Sequence, residues 1–217
     1  GNTVDGINYT NVLSTGSVYG FYGLSSAVNV TANNNIFRNF STPTTGTLNG
    51  IREFGVSGTK IFQNNQVYNF STYAGGAGGA TMYGIYCSTG NIDISNNVVY
   101  ALNSTGTTGG TSGSLVGIYV SGGTTNNVYK NKVYDISTTS TNPSLYGMQF
   151  GGGTTNTIYN NLVGDLRTPA ANAGIPLAGI YLSGGTTNNA YYNTVYLNAS
   201  STGALFGSAA LYASTTP

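Results

Sequence analysis

The stretch Gly179–Tyr196 reads GIYLSGGTTNNAYYNTVY. Nearly the same run, GIYVSGGTTNNVYKNKVY, occupies Gly117–Tyr134, and a third version, GMQFGGGTTNTIYNNLVG, fills Gly147–Gly164 between them. A unit recurring at such a period marks a solenoid or a repeat array, because one unit cannot bury its apolar face without a neighbour. Two rulers extend the repeat over the whole chain. One is an Asn two residues before a Val or Ile: Asn2, Asn34, Asn65, Asn96, Asn131, Asn161 and Asn193, spaced 30 to 35 residues apart. The other is a Gly before a hydrophobic residue, at Gly20, Gly50, Gly84, Gly117, Gly147 and Gly179, with Ala210-Leu211-Tyr212 beginning a seventh unit.

Within one unit the β-branched and aromatic residues form three short runs, Ile118-Tyr119-Val120, Val128-Tyr129 and Val133-Tyr134, separated by Gly, Ser, Thr and Asn. These are strand and turn signals, and no helical period accompanies them. Propeller blades need four strands in a longer repeat. Three strands per turn stacked on themselves leave an all-β fold, a parallel β-helix of about seven coils covering 1–217 as one domain. At ~4.8 Å per coil the rod is roughly 30–35 Å long.

Strand alternation assigns the columns. Phe21, Ile51, Ile85, Ile118, Met148, Ile180 and Leu211 point inward, beside Cys87, Val120, Phe150 and Leu182. The Asn positions are expected to form an internal ladder at a tight turn, since an amide both donates and accepts. The segments Ser41–Leu48, Ser71–Met82, Asn103–Ser114, Ser137–Ser144 and Arg167–Leu177 vary in length and read as surface loops on one edge.

Only 5% of residues are charged and the formal net charge is +1, which argues against a nucleic-acid partner or an acidic membrane surface. No apolar run approaches the ~20 residues of a membrane span. Cys87 is the single cysteine, so neither an intrachain disulfide nor a cysteine metal cluster is expected, and its column makes it a small buried hydrophobe. No signal peptide or initiator Met is visible, as in a mature or excised piece.

The Asn-x-Val ladder and the G-I-Y…SGGTTNN…Y-x-N-x-V-Y coil resemble the right-handed parallel β-helix superfamily that includes pectate lyases. In texture they are similar to the Thr/Asn/Gly-rich repeats of large secreted or surface proteins of Bacteroidetes-type bacteria, the clients of type IX secretion. That resemblance implies an extracellular or cell-surface setting and leaves activity open, because one fold hosts many functions.

Five carboxylates are available: Asp5, Glu53, Asp93, Asp135 and Asp165. Asp135 and Asp165 fall in adjacent coils at a spacing that suits a retaining glycosidase pair, near Lys130, Lys132 and Arg167. Asn39 and Asn69 share their column, so the position reads as a turn cap accepting Asn or Asp. No catalytic residue, metal ligand set or cofactor is expected. The outward tyrosines are the other candidate. Tyr22, Tyr86, Tyr119, Tyr181 and Tyr212 form one column interrupted by Arg52 and Gln149, Tyr129, Tyr159 and Tyr191 a second, and Phe37, Tyr68, Tyr134 and Tyr196 a third. Cross-coil stacking that stiffens the sheet explains them. A binding surface for polysaccharide, centred on Tyr86, Tyr119, Tyr181 and Tyr212, is the functional alternative.

Thr124/Thr125, Thr154/Thr155 and Thr186/Thr187 stack over three coils, with one Thr of each pair expected to face out. Asn29-Val-Thr31, Asn39-Phe-Ser41 and Asn69-Phe-Ser71 match glycan sequons but recur with the coil as turn residues. Two expectations follow, a structural or adhesive rod and a carbohydrate-binding or carbohydrate-degrading β-helix. The chain starts at an Asn-x-Val strand and stops just before the next, with no charged or helical cap. The rod is therefore expected to continue at both ends, through further domains or other copies stacked end to end.

Overall fold

Three parallel sheets wind around one hydrophobic core to give a parallel β-solenoid of about six turns. The computed structural model describes residues 1–10, 16–24, 29–43, 46–72, 81–105 and 113–214. Sheet I contains Val18–Gly23, Thr47–Glu53, Thr81–Cys87, Ser114–Val120, Ser144–Phe150, Leu177–Leu182 and Ser208–Ala213. Sheet II contains Val30–Thr31, Thr59–Gln63, Asn91–Ser95, Thr125–Tyr129, Thr155–Tyr159 and Thr187–Tyr191. Sheet III contains Thr3–Asp5, Ile36–Thr42, Gln66–Thr72, Val98–Ser104, Lys132–Thr138, Leu162–Arg167 and Thr194–Tyr196. The strands outrun the short apolar runs of the sequence, because Ser and Thr continue the pairing on both faces, Thr42, Thr72, Ser104 and Thr138 turning inward at the ends of their strands. The loop edges are correspondingly shorter than expected, and 44–45, 73–80 and 106–112 within them lie outside the described residues.

Register confirms the inward column of sheet I: Phe21 pairs with Ile51, Ile51 with Ile85, then Ile118, Met148, Ile180 and Leu211. The two rulers turn out to be one contact. A Cβ on Gly117 would lie 2.3 Å from Val133 Cγ1 and 2.6 Å from the Gly147 carbonyl, and Gly50, Gly84, Gly147 and Gly179 each face a Val of sheet III in the same way. The glycine column is empty of side chains so that the valine column can fill the corner.

The Asn ladder exists and runs unbroken through seven asparagines: Asn2, Asn35, Asn65, Asn97, Asn131, Asn161 and Asn193. Two members differ from the expectation, Asn35 in place of Asn34 and Asn97 in place of Asn96. Both coils carry consecutive asparagines, and the one before the ladder residue does a separate job. Asn34, Asn64, Asn96, Lys130, Asn160 and Tyr192 hold the left-handed backbone that turns sheet II into sheet III, with φ of 54° to 60°. Asn131 shows the ladder in full. Its Nδ2 donates to Asn161 Oδ1 at 3.0 Å and back to the Ile94 carbonyl at 2.8 Å. Its Oδ1 accepts from the backbone N–H and Nδ2 of Asn97. A second ladder, not anticipated, runs through Asn126, Asn156 and Asn188, each donating also to the carbonyl of Gly122, Gly152 or Gly184. It explains the SGGTTNN motif: Gly123, Gly153 and Gly185 take φ of 99° to 105° and let the chain turn over the amides.

Candidate functional site

The outer face of sheet I carries the tyrosine column, with Tyr22, Arg52, Tyr86, Tyr119, Gln149, Tyr181 and Tyr212 in one register. Beside it runs a second outward column that the sequence reading missed: Tyr19, Asn49, Tyr83, Val116, Tyr146, Ala178 and Ala209. The two-residue alternation breaks at the glycine, where Leu115 and Ile118 both point inward around Gly117, so simple counting loses this column. Val116, Tyr146 and Ala178 are buried beneath Tyr83, Tyr119, Tyr181 and Tyr212, which makes a small satellite core outside the solenoid wall. Burial, reinforced by the neighbouring Tyr86 and Tyr119 phenols, pushes the Tyr83 hydroxyl up to about 12. Tyr119 and Tyr146 are raised for the same leading reason.

Ring orientation decides what this face offers. Tyr86 stacks on Tyr119 with centroids 4.6 Å apart and planes 27° apart, and Tyr181 on Tyr212 at 4.9 Å and 12°. The stacked partners sit in successive coils, so the ring faces turn toward one another along the rod. Solvent meets edges and hydroxyls, whereas a sugar ring packs on an open ring face. Where Arg52 replaces a tyrosine, its guanidinium lies 4.4 Å from the Phe54 ring centroid and within 5.6 Å of those of Tyr19 and Tyr86, continuing the stack as a cation. Tyr129, Tyr159 and Tyr191 stack as expected at 4.9 and 5.4 Å. The third column is corrected: it holds Arg38, Tyr68, Tyr100, Tyr134, Gly164 and Tyr196. Phe37 belongs to the inward valine column and is buried.

Asp135 and Asp165 do lie together, and Arg167 spans them. Its Nη1 is 2.7 Å from Asp165 Oδ2, and its Nη2 binds Asp135 Oδ1. Burial works against the charge of Arg167, but the two carboxylates outweigh it and hold the guanidinium above its usual range. Both aspartates occupy a left-handed column with Asn39, Asn69 and Ala101, φ 49° to 59°. That column is a bend inside five of the seven sheet III strands, and Asn or Asp fills four of its five places. Nearby, Ser137, Thr138, Thr139, Arg167, Pro169, Asn198, Ala199 and Ser200 line a shallow groove of about 270 Å³. Among the threonine pairs both members reach solvent or come close to it, because Thr124 and Thr154 precede the strand where alternation has not begun.

Glu53 was read only as one of five carboxylates, yet it occupies the Cys87 column inside the core. It pairs there with Lys60, Nζ to Oε1 3.4 Å, and both side chains are 0% exposed. Burial pushes the Cys87 thiol well above its usual range, with the Glu53 charge adding to it. No group of three or more metal-binding side chains occurs among the described residues.

Fold and surface together define the chain as a parallel β-solenoid with aromatic and amide ladders. No family model, curated protein or solved structure matches the chain.

Proposed function

We propose that the chain is a structural or adhesive rod of a secreted fibre or a large cell-surface protein, within the right-handed parallel β-helix superfamily and close in kind to Bacteroidetes-type surface repeats. One observation carries this reading. The groups that would do chemistry or grip a ligand are spent on contacts within the wall, the stacked tyrosines on one another and Asp135 of one coil and Asp165 of the next on Arg167. Such a rod grows by adding coils at the outer strands of its sheets. Its partners are neighbouring domains or further copies, and polysaccharide of the surface it stands on. Purified protein is then expected to leave pectin and alginate uncleaved with or without calcium. Turnover that vanishes in Asp135→Asn or Asp165→Asn overturns the proposal.

A second reading, a carbohydrate-binding or carbohydrate-degrading β-helix, draws on the groove beside Arg167. Its hydroxyl and amide lining suits a sugar, and the tyrosine column at Tyr86, Tyr119, Tyr181 and Tyr212 adds phenol edges elsewhere on the rod. Calorimetric titration with neutral and acidic oligosaccharides separates the readings. Binding that Arg167→Ala abolishes supports the second.

A further inference from the structure

The buried cluster around Glu53 is unlike anything else in the described core, where the inward columns are apolar, hydroxyl or amide. Glu53 leaves sheet I at the end of its strand and Lys60 enters sheet II seven residues later, so one turn of chain joins them. Both side chains are fully buried, and Lys60 Nζ rests 3.4 Å from Glu53 Oε1. The two carboxylate oxygens are treated differently. Oε1 accepts the Gly55 backbone N–H at 2.7 Å, while Oε2 is buried with no hydrogen-bond partner. Space for Oε2 exists because the neighbouring coil has Gly23 in this column, where a Cβ would lie 1.6 Å from that oxygen. An ion pair sealed from water is costly on both sides, and the unpartnered oxygen adds to the cost.

We propose that Lys60 and Glu53 condense to an internal amide, a covalent staple between sheets I and II. The arrangement supplies each element the reaction needs. The amine is held in contact with the carboxyl group for the lifetime of the fold, which removes the entropy of encounter. Gly55 N–H is aimed at Oε1, the oxygen on which negative charge develops when nitrogen adds to Cδ. Oε2, which nothing holds, is the group that leaves. The balance closes without a co-reactant. The ammonium passes one proton to Oε1, the oxygen it touches, and the freed amine forms the Nζ–Cδ bond; in the tetrahedral centre so formed that proton moves from Oε1 to Oε2. A second proton follows to Oε2, the Cδ–Oε2 bond breaks, and one water departs. Nζ retains one hydrogen as the amide N–H. Water is excluded from the site, so the reverse hydrolysis lacks its reactant. Cys87 adjoins Glu53 but its thiol is held protonated by burial, which leaves the amine as the nucleophile.

The proposal is independent of whether the rod binds or cleaves anything. Its test is the intact mass of the purified chain in denaturant, followed by a peptide map. The expected mass is that of the sequence less one water, with a branched peptide joining the segments that contain Glu53 and Lys60. Lys60→Met should restore the full mass expected for that variant, and thiol titration in denaturant should find Cys87 free. A wild-type mass equal to the sequence overturns the proposal. So does a missing water that maps elsewhere, or a Cys87 thiol that cannot be titrated because a Cys87–Glu53 thioester holds it. The wild-type measurement stands even where Lys60→Met fails to fold.

Discussion

Asn131 spends both amide hydrogens and accepts twice on its oxygen, all inside the wall. Asn131→Leu strips these partners together, and is expected to lower stability by about 1–3 kcal/mol, since the Asn97 backbone N–H and one of its Nδ2 hydrogens lose their acceptor and the Ile94 carbonyl loses a donor, all of them buried. A thermal melt of the variant matching wild type would remove the ladder from the account. Lys130 offers the opposite change. It holds φ 56° in a column where four of the six residues are Asn, and left-handed backbone costs a side-chain-bearing residue roughly 1–2 kcal/mol unless local hydrogen bonding offsets it. Lys130→Asn should therefore raise the denaturant midpoint; a drop would mean that the lysine has a compensating contact. At this scale the sequence was legible where a residue type repeats. It misled at Asn34-Asn35 and Asn96-Asn97, where an outward Ile36 or Val98 follows the ladder residue directly and puts the turning Asn two places before a β-branched residue; at Asn64-Asn65 and Asn160-Asn161 the same ruler finds the bonding one.

A glycine column and a valine column meet along one edge of sheets I and III, and that contact sets the cross-section of the coil. Gly117→Ala is expected to cost about 1–3 kcal/mol by forcing Val133 and the next strand outward. Equilibrium unfolding reads the loss, and an unchanged midpoint would show that the corner has slack. The aromatic face of sheet I gives a pH prediction. Tyr83 is pushed up to about 12 by burial, so between pH 10 and about 12 the unfolded chain releases its proton first. Its contribution to stability is complete below pH 10 and is lost as pH rises through about 12. Melting temperature should fall over that window, and less steeply in Tyr83→Phe. The inward columns were readable from alternation, as was the Tyr22 column. The Tyr19 column was not, because the irregularity at each glycine shifts the count by one. Glu53 and Lys60 were missed for a different reason: each stands once in an otherwise apolar or neutral column, and a repeat-based reading averages over such single departures.

Contacts in the whole molecule run from each coil to its immediate neighbours, which is nearest-neighbour energetics in one dimension. Deleting residues 132–161 removes one full coil and brings Asn131 to Leu162, the junction that Asn161 makes in the intact chain. The shortened rod should still fold cooperatively, with a lower melting temperature and an unchanged β signature by circular dichroism. Complete loss of structure would show that the coils are not interchangeable. The ladders have a further consequence for the rod as one object. Along each ladder the Asn-to-Asn bond runs one way, Nδ2 donating forward to the Oδ1 of the next coil's Asn, from Asn2 through Asn161 in the first ladder and from Asn126 through Asn156 in the second. Amide dipoles so aligned add instead of cancelling, as peptide dipoles do in a helix. The rod thus has an electrical head and tail set by neutral side chains alone, the positive sense pointing toward its C-terminal coils, where an approaching anion is favoured over a cation.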